Sequence, residues 1–146
     1  MPREYYFVSD LHFGGDGNLQ ICDFAAEFIA FLKKLEKKDR ETELIVAGDT
    51  FGFWELTSVH GAEQLDEIIR HHQTIFEQFR KTGERIKITM LVGNHDYDLA
   101  CDPAFGEKLK NYNIRLDTSP SITREVGSGG KKIWIEHGQQ IDPYNA

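Results

Sequence analysis

Short apolar runs alternate with longer amphipathic stretches along the first two thirds of the chain. The runs at 5–8, 44–47 and 86–92 are short and rich in aromatic or β-branched residues, which is typical of buried strands. Between them, apolar residues recur at helical spacing over 21–35 and 65–79. The pattern predicts the order strand, helix, strand, helix, strand, with right-handed crossovers and a largely parallel sheet.

Local signals set the expected ends of the helices. We expect the first helix to begin at Asn18 as its N-cap, and the second to run unbroken to a stop at Gly83. His72 falls in the apolar stripe of that second helix, where a buried histidine bonded to a neighbour is the expected state. Asp102 followed by Pro103 is typical of the start of a short third helix.

Two apolar runs near the end of the sequence predict a hairpin. The runs at 122–126 and 131–136 are separated by the glycine-rich stretch 127–130, so antiparallel pairing is expected after the parallel part. A chain of this length builds one core rather than two. We therefore predict an α/β fold in a single domain over 1–146, with a mixed sheet and flanking helices.

Residues with metal-ligand chemistry follow four of the predicted strands. They are Asp10 and His12 after the first strand, Asp49 after the second, Asn94 and His95 after the third, and His137 after the hairpin. Ligands of open α/β sheets bind beyond the carboxyl ends of strands, so these side chains are expected to converge. Each motif alone is also common in ordinary turns and loops, and it is the coincidence of four strand ends that favours a site.

The residue types in this set indicate which ligand it would bind. Oxygen and imidazole donors without thiolates suit Mn, Fe, Zn or Mg ions. A carboxylate can bridge two ions about 3.5 to 4 Å apart, and Asp49 lies in the middle of the set. We expect two divalent ions, Mn before the others, that clamp a phosphoryl group and activate a water, with His95 placed to protonate the leaving oxygen.

The net charge and the composition indicate which partners and which cellular location to expect. A formal charge of −7 argues against nonspecific nucleic-acid binding, which depends on clustered Lys and Arg, so nucleic acid is not favoured as a partner. Cys22 and Cys101 have no CxxC spacing and suggest neither a zinc knuckle nor a redox pair. No run suits a signal peptide or a transmembrane segment, and we expect a cytoplasmic protein.

The ordered motifs resemble those of the calcineurin-like metallophosphoesterases. The matching motifs are Asp10-x-His12, Gly48-Asp49, Gly93-Asn94-His95-Asp96 and His137-Gly138. The resemblance implies a layered α/β sandwich (αββα) and hydrolysis of a phosphomonoester, phosphodiester or pyrophosphate bond. A noncatalytic scaffold with this fold is the alternative, although a scaffold would be expected to have lost some ligands. A nuclease is less favoured, because the chain is acidic.

The resemblance also implies a role for each matched residue. His95 would bind phosphate and act as the general acid, and Asp96 would support the catalytic group without being a ligand. The implied ligand sets share one residue: Asp10, His12 and Asp49 for the first ion, and Asp49, Asn94 and His137 for the second.

The aromatic segment after Asp49 resembles one branch of the family. The spacing of Asp49, Phe51 and Trp54 is similar to the branch that contains UDP-2,3-diacylglucosamine pyrophosphohydrolases, which would make a lipid-linked nucleotide the substrate in place of another phosphate-containing small molecule. The same aromatic residues are equally suited to packing against the sheet.

The family's final Gly-His-x-His motif does not follow His137. We therefore expect 1–146 to be the N-terminal part of a fold that further sequence or a partner chain completes. We also expect this part to be weakly active or inactive alone.

Overall fold

A computed structural model of the chain describes residues 4–14 and 22–144. The strands are β1 (Glu4–Val8), β2 (Phe13–Gly14), β3 (Thr42–Ala47), β4 (Phe51–Gly52), β5 (Lys87–Leu91), β6 (Arg115–Asp117), β7 (Ile122–Val126) and β8 (Lys131–Ile135). The helices are α1 (Ala25–Glu36), α2 (Glu63–His71), α3 (Gln73–Gly83) and α4 (Pro103–Lys110). Short 3-10 turns occupy Phe53–Glu55, Tyr97–Ala100 and Gln139–Ile141.

The main sheet has four parallel strands in the order β1, β3, β5, β6. The predicted α/β fold is confirmed, and so is the parallel pairing of the three predicted strands β1, β3 and β5. The antiparallel pairing lies in a separate hairpin, β7 and β8, rather than within the main sheet. Strand β6 was not predicted, because Arg115-Leu116-Asp117 contains a single apolar residue and none of the three is fully buried. The β2 and β4 pair was also not predicted, since two residues are too few for any periodicity.

Successive side chains of β3 pack on opposite faces of the main sheet. Leu44 and Val46 belong to the large core formed with the helices, whereas Ile45 packs in a smaller cluster with Ile122 and Ile135 of the hairpin. Because successive side chains of a strand point to opposite faces, the helices cover one face and the hairpin covers the other. Within the described ranges, no helix combines the length and the apolar character needed to cross a bilayer.

The predicted start of the first helix is wrong. The helix begins at Ala25, and residues 22–24 before it are described and are not helical. Asn18 and Ile21 lie outside the described residues. Phe24 has a non-helical φ of −114°, and its ring contacts those of Phe13 and Phe28. The contact with a distant aromatic residue coincides with the start of the helix, and helical spacing alone could not reveal it.

The predicted single second helix is two helices that break at His72. The backbone of His72 has φ −117° and ψ 32°, outside the helical region. Its side chain is buried, as expected, and its ring centroid lies 5.3 Å from that of Phe13. The expected hydrogen bond is not found at its Nε2, which has no partner among the described residues. Apolar residues of α2 and of α3, on either side of the break, belong to the same core.

Candidate metal centre

Three of the predicted ligands have a left-handed backbone. Asp10, His12 and Asp49 have φ values of 58°, 49° and 52°, and Asn113 is the other non-glycine residue with positive φ in the described part of the chain. Such conformations cost of the order of 1–3 kcal/mol each and persist where the surrounding structure enforces them. The loops after β1 and β3 are therefore held in shapes that aim these side chains.

Backbone hydrogen bonds join these two loops. The N–H of Asp10 donates to Gly48 O at 3.1 Å, and the N–H of His12 donates to Asp49 O at 3.0 Å. Directly after these hydrogen bonds, the short strands β2 and β4 pair in parallel and keep the two chain segments side by side. Because β1 and β3 are adjacent parallel strands, this ladder places Asp10 and His12 directly beside Asp49.

The first predicted ligand set is assembled around His12. Its Nε2 lies 3.8 Å from Asp10 Oδ1 and 3.7 Å from Asp49 Oδ2. One potential ligand atom from each of the three residues lies within 4.8 Å of the others. These separations are too long for direct hydrogen bonds and fit ligands that share an ion at about 2.0–2.2 Å from each. The donor set therefore suits a divalent metal ion.

The second predicted set is assembled around His137. Its Nε2 lies 3.3 Å from Asp49 Oδ2 and 3.1 Å from Asn94 Oδ1, and its Nδ1 lies 2.9 Å from Ala47 O. A carbonyl oxygen only accepts, so Nδ1 carries a proton. In that tautomer the lone pair of Nε2 would be available to a cation shared with Asp49 and Asn94.

Asp49 lies between the two sets. The same oxygen, Oδ2, faces the Nε2 atoms of His12 and His137, while Oδ1 accepts a 2.9 Å hydrogen bond from the N–H of His95. Only 3% of Asp49 is exposed, so its position is fixed by the surrounding protein. This is the arrangement expected of a carboxylate that bridges two ions.

Asp96 ties the loops of the site together from within the protein. It is fully buried; its Oδ1 accepts from the N–H of Gly93 at 2.7 Å, and its Oδ2 accepts from the N–H groups of Thr50 and Phe51 at 2.8 and 3.2 Å. Burial raises the pKa of Asp96 to about 6, against the opposing effect of these hydrogen bonds. Both oxygens are engaged by backbone donors, which suits support of the site rather than metal ligation.

The aromatic residues after Asp49 divide between packing and the site. Phe51 and Phe53 are buried in the core, whereas 62% of Trp54 is exposed. The Trp54 ring lies beside His95, with 4.4 Å between the ring centroids. Phe51 and Phe53 therefore pack in the core, whereas Trp54 lies at the surface beside a predicted site residue. The finer resemblance carried by this segment stays a prediction.

Glu55 is a residue of the site that the sequence did not point to. Its Oε1 lies 3.9 Å from His95 Nδ1, and the His95 ring in turn packs edge-on against His12 with 4.9 Å between centroids. Glu55 is the last residue of a 3-10 turn and does not follow a predicted strand, so a search for ligands at the ends of strands could not find it. In the sequence, the one feature that could have indicated Glu55 is its acidic side chain directly after Trp54.

Comparison with known proteins agrees with the motifs. The sequence profile described as calcineurin-like phosphoesterase matches residues 4–146. No curated protein matches the chain significantly. The crystal structure of Pseudomonas putida nuclease MPE is similar, with 20% identity and a TM-score of 0.47 over 82% of this chain and 50% of that one, so the chain spans about half the length of that structure. Because the profile covers nearly the whole sequence, the chain belongs to the calcineurin-like phosphoesterase family.

Proposed function

We propose that this chain carries the catalytic site of a metal-dependent phosphohydrolase that uses two divalent ions. The observation that supports this most directly is the position of Asp49 Oδ2 between His12 and His137. The proposed ligands are Asp10, His12 and Asp49 for the first ion, and Asp49, Asn94 and His137 for the second. When bound, the ions would lower the pKa of a water and stabilise negative charge on the phosphoryl oxygens.

His95 is the proposed proton donor to the leaving oxygen. Its backbone N–H is anchored on Asp49, so the residue is fixed beside the ligand that both ions share. Its side chain is 30% exposed, which leaves the ring accessible to a substrate. A histidine in this position suits general acid catalysis near neutral pH. Asp96 holds the loop that presents it, through the N–H of Gly93.

A groove beside the ligands would receive the organic part of the substrate. It has a volume of about 740 Å³, and its lining includes Asn94, Trp54, Tyr97, Pro120 and Gln140. Because Asn94 is a proposed ligand, a phosphoryl group held at the ions would place its substituent in this groove. The mixture of aromatic and amide groups fits a phosphate-containing small molecule or a lipid-linked nucleotide, as the finer resemblance implies.

Manganese remains the first expectation for the metal, with Fe, Zn or Mg as alternatives that the same donors accept. A cytoplasmic location is part of the same proposal and is supported by the two free thiols of Cys22 and Cys101. The convergence of all five proposed ligands favours an enzyme over a noncatalytic scaffold.

Turnover tests this proposal, and it is best measured on the longest natural form of the protein that contains this chain. The substrates are p-nitrophenyl phosphate, bis(p-nitrophenyl) phosphate and a nucleotide pyrophosphate, each with Mn, Fe, Zn or Mg. We expect metal-dependent hydrolysis of at least one of them, lost in Asp49→Asn and retained in the exposed control Asp66→Asn. Absence of hydrolysis with every metal, or equal hydrolysis by Asp49→Asn, would contradict the proposal.

A further inference from the structure

Glu55 lies beside the imidazole of the proposed proton donor. Its Oε1 is 3.9 Å from His95 Nδ1, within the range of an ion pair. In the described part of the chain, Glu55 forms no ion pair with a lysine or an arginine, so His95 is the basic side chain that faces its charge. We propose that Glu55 orients His95 for proton transfer, with Nδ1 turned towards the carboxylate and Nε2 towards the leaving oxygen. This inference rests on the proposed function.

The two ring nitrogens of His95 have different surroundings. Nδ1 is buried and has no hydrogen-bond partner among the described residues, although 30% of the side chain is exposed. Nε2 is therefore the nitrogen that a substrate can reach. Because a carboxylate oxygen only accepts, the nitrogen that faces Glu55 should carry a proton. Hydrogen bonds of catalytic groups are often long before the substrate binds and shorten in the complex, which suits the 3.9 Å separation.

Gly52 leaves the space in which the Glu55 carboxylate lies. A Cβ added at Gly52 would be 2.4 Å from Glu55 Oε2, closer than real contacts allow. The same oxygen is buried and has no hydrogen-bond partner among the described residues. Buried polar atoms are normally paired, and a protonated imidazole beside the carboxylate reduces the cost of burying its charge.

The backbone around Glu55 is fixed from both sides. The amide of Gln64 donates to Phe53 O and to Leu56 O, both at 3.2 Å, and so brackets the turn that carries Glu55. Phe53 is buried and anchors the start of the same turn. The carboxylate therefore projects from a rigid segment, as a group that orients another side chain should.

Two neighbouring rings restrict the His95 imidazole. The centroid of the Trp54 ring lies 4.4 Å from that of His95, and the His12 ring packs edge-on at 4.9 Å. An imidazole turned over by half a rotation has nearly the same shape, so packing alone does not choose which nitrogen faces outwards. The charge of Glu55 makes that choice, because only a nitrogen that carries a proton is attracted to it.

This orientation identifies the proton that is transferred. When the bond between phosphorus and the leaving oxygen breaks, its electron pair stays on that oxygen, which takes the proton from Nε2 of the imidazolium. The ring is left neutral, with its remaining proton on Nδ1 facing Glu55. A carboxylate that holds an imidazole in one tautomer and one orientation acts on the reaction without contacting the substrate.

Leaving groups of different basicity test this inference on the longest natural form of the protein. The substrates are the phenyl and p-nitrophenyl esters of phosphate and of methyl phosphate. p-Nitrophenolate leaves readily without a proton, whereas phenolate depends on one. We expect Glu55→Ala to lower kcat for the phenyl esters at least about tenfold and for the p-nitrophenyl esters less than about twofold, with KM nearly unchanged. The exposed control Glu63→Ala should match the wild type.

The two ways in which this experiment can fail are distinguishable. Equal losses with the two leaving groups, or no loss with either, would overturn the inference and leave the proposed function intact. Absence of hydrolysis by the wild type would contradict the proposed function and this inference with it.

A measurement without turnover locates the proton directly. A long-range proton–nitrogen correlation spectrum, recorded with Zn²⁺ at about pH 8, where an imidazole is ordinarily neutral, shows which ring nitrogen of His95 is protonated. We expect the proton on Nδ1 in the wild type, and on Nε2 or on a mixture of both nitrogens in Glu55→Ala. A proton on Nε2 alone in the wild type would overturn the inference, whatever the variant does.

Discussion

Gly93 and Asp49 lie so close together that no side chain could be accommodated at position 93. A Cβ added to Gly93 would lie 2.1 Å from Asp49 Oδ1 and 2.5 Å from the Asp49 backbone nitrogen. The glycine before Asn94 and His95 therefore has a specific spatial role. It lets the loop after β5 approach the carboxylate at the centre of the proposed metal site.

Gly93→Ala should weaken metal binding and turnover. The added methyl group must displace Asp49 or the loop that carries His95, and a shifted ligand commonly costs tenfold or more, so we expect at least about a tenfold loss of Mn²⁺ affinity. Gly106→Ala in helix α4 is the matched control, because its Cβ would meet nothing closer than 3.9 Å and alanine is favoured in a helix. Calorimetric titration of both variants makes the comparison. Metal binding by Gly93→Ala equal to that of the control would show that the close approach is unimportant.

Asp96→Asn should destabilise the protein. The carboxylate accepts from three backbone N–H groups, and an asparagine amide can satisfy only those that face its carbonyl oxygen. A buried donor left without an acceptor costs about 1–3 kcal/mol, and we expect the free energy of unfolding to fall by that amount. Urea denaturation provides the measurement. Asp98→Asn, at an exposed residue nearby, is the control and should change the free energy of unfolding by less than about 0.5 kcal/mol. Equal stability of the two variants would argue against the bridging role of Asp96.

Glu43 should make stability depend on pH in the acid range. Glu43 is 3% exposed; burial alone would raise its pKa, but hydrogen bonds from Arg124 and Thr89 and the nearby charge of Lys87 hold the pKa below its ordinary value of 4.5. Because the folded protein binds this proton less readily than the unfolded chain, the contribution of Glu43 is complete above that ordinary value. It is lost as the pH falls through the folded pKa.

Glu43→Gln tests this dependence, since glutamine does not titrate. The difference in free energy of unfolding between wild type and variant should be constant above about pH 5 and should shrink as the pH falls towards about 3. Urea denaturation across that range measures the difference, and Glu125→Gln on the exposed side of β7 serves as the control. A difference that stays constant to the lowest pH would exclude a lowered pKa at Glu43.

Trp54→Ala should affect the substrate rather than the fold. Trp54 is 62% exposed and borders the groove beside Asn94, so its loss should leave the melting temperature nearly unchanged. Contact between aromatic groups contributes about 0.5–1.5 kcal/mol, and we expect kcat/KM for bis(p-nitrophenyl) phosphate to fall about two- to tenfold. Trp134→Ala removes a tryptophan of similar exposure from the hairpin and should leave kcat/KM unchanged. Equal effects of the two substitutions would argue against a substrate groove at Trp54.

Much of the architecture followed from local patterns in the sequence. Continuous apolar runs identified β1, β3 and β5, and the ends of these strands located the residues that the structure brings together around Asp49. The expectation that all three are buried holds for β3 and β5 but is wrong for β1, which is an edge strand with partly exposed side chains. The roles of those residues as ligands and catalysts stay predictions.

The features that the sequence did not predict depend on contacts between distant residues. The break at His72 and the start of α1 at Ala25 are accompanied by packing on Phe13, which periodicity within a helix does not report. Strand β6 has no apolar run of its own and is defined by pairing with β5. Glu55 reaches the site from a turn, through space left by Gly52.

The central claim is that Asp49 is shared by two ions, and calorimetric titration of Mn²⁺ into matched variants tests it most directly. Asp49→Asn should weaken both of the two tightest binding steps, whereas Asp10→Asn should weaken one and Asn94→Ala the other. Asp66→Asn, on the exposed face of α2, should bind as the wild type does. A single weakened step in Asp49→Asn, or binding equal to that of the wild type, would contradict a shared carboxylate at this site.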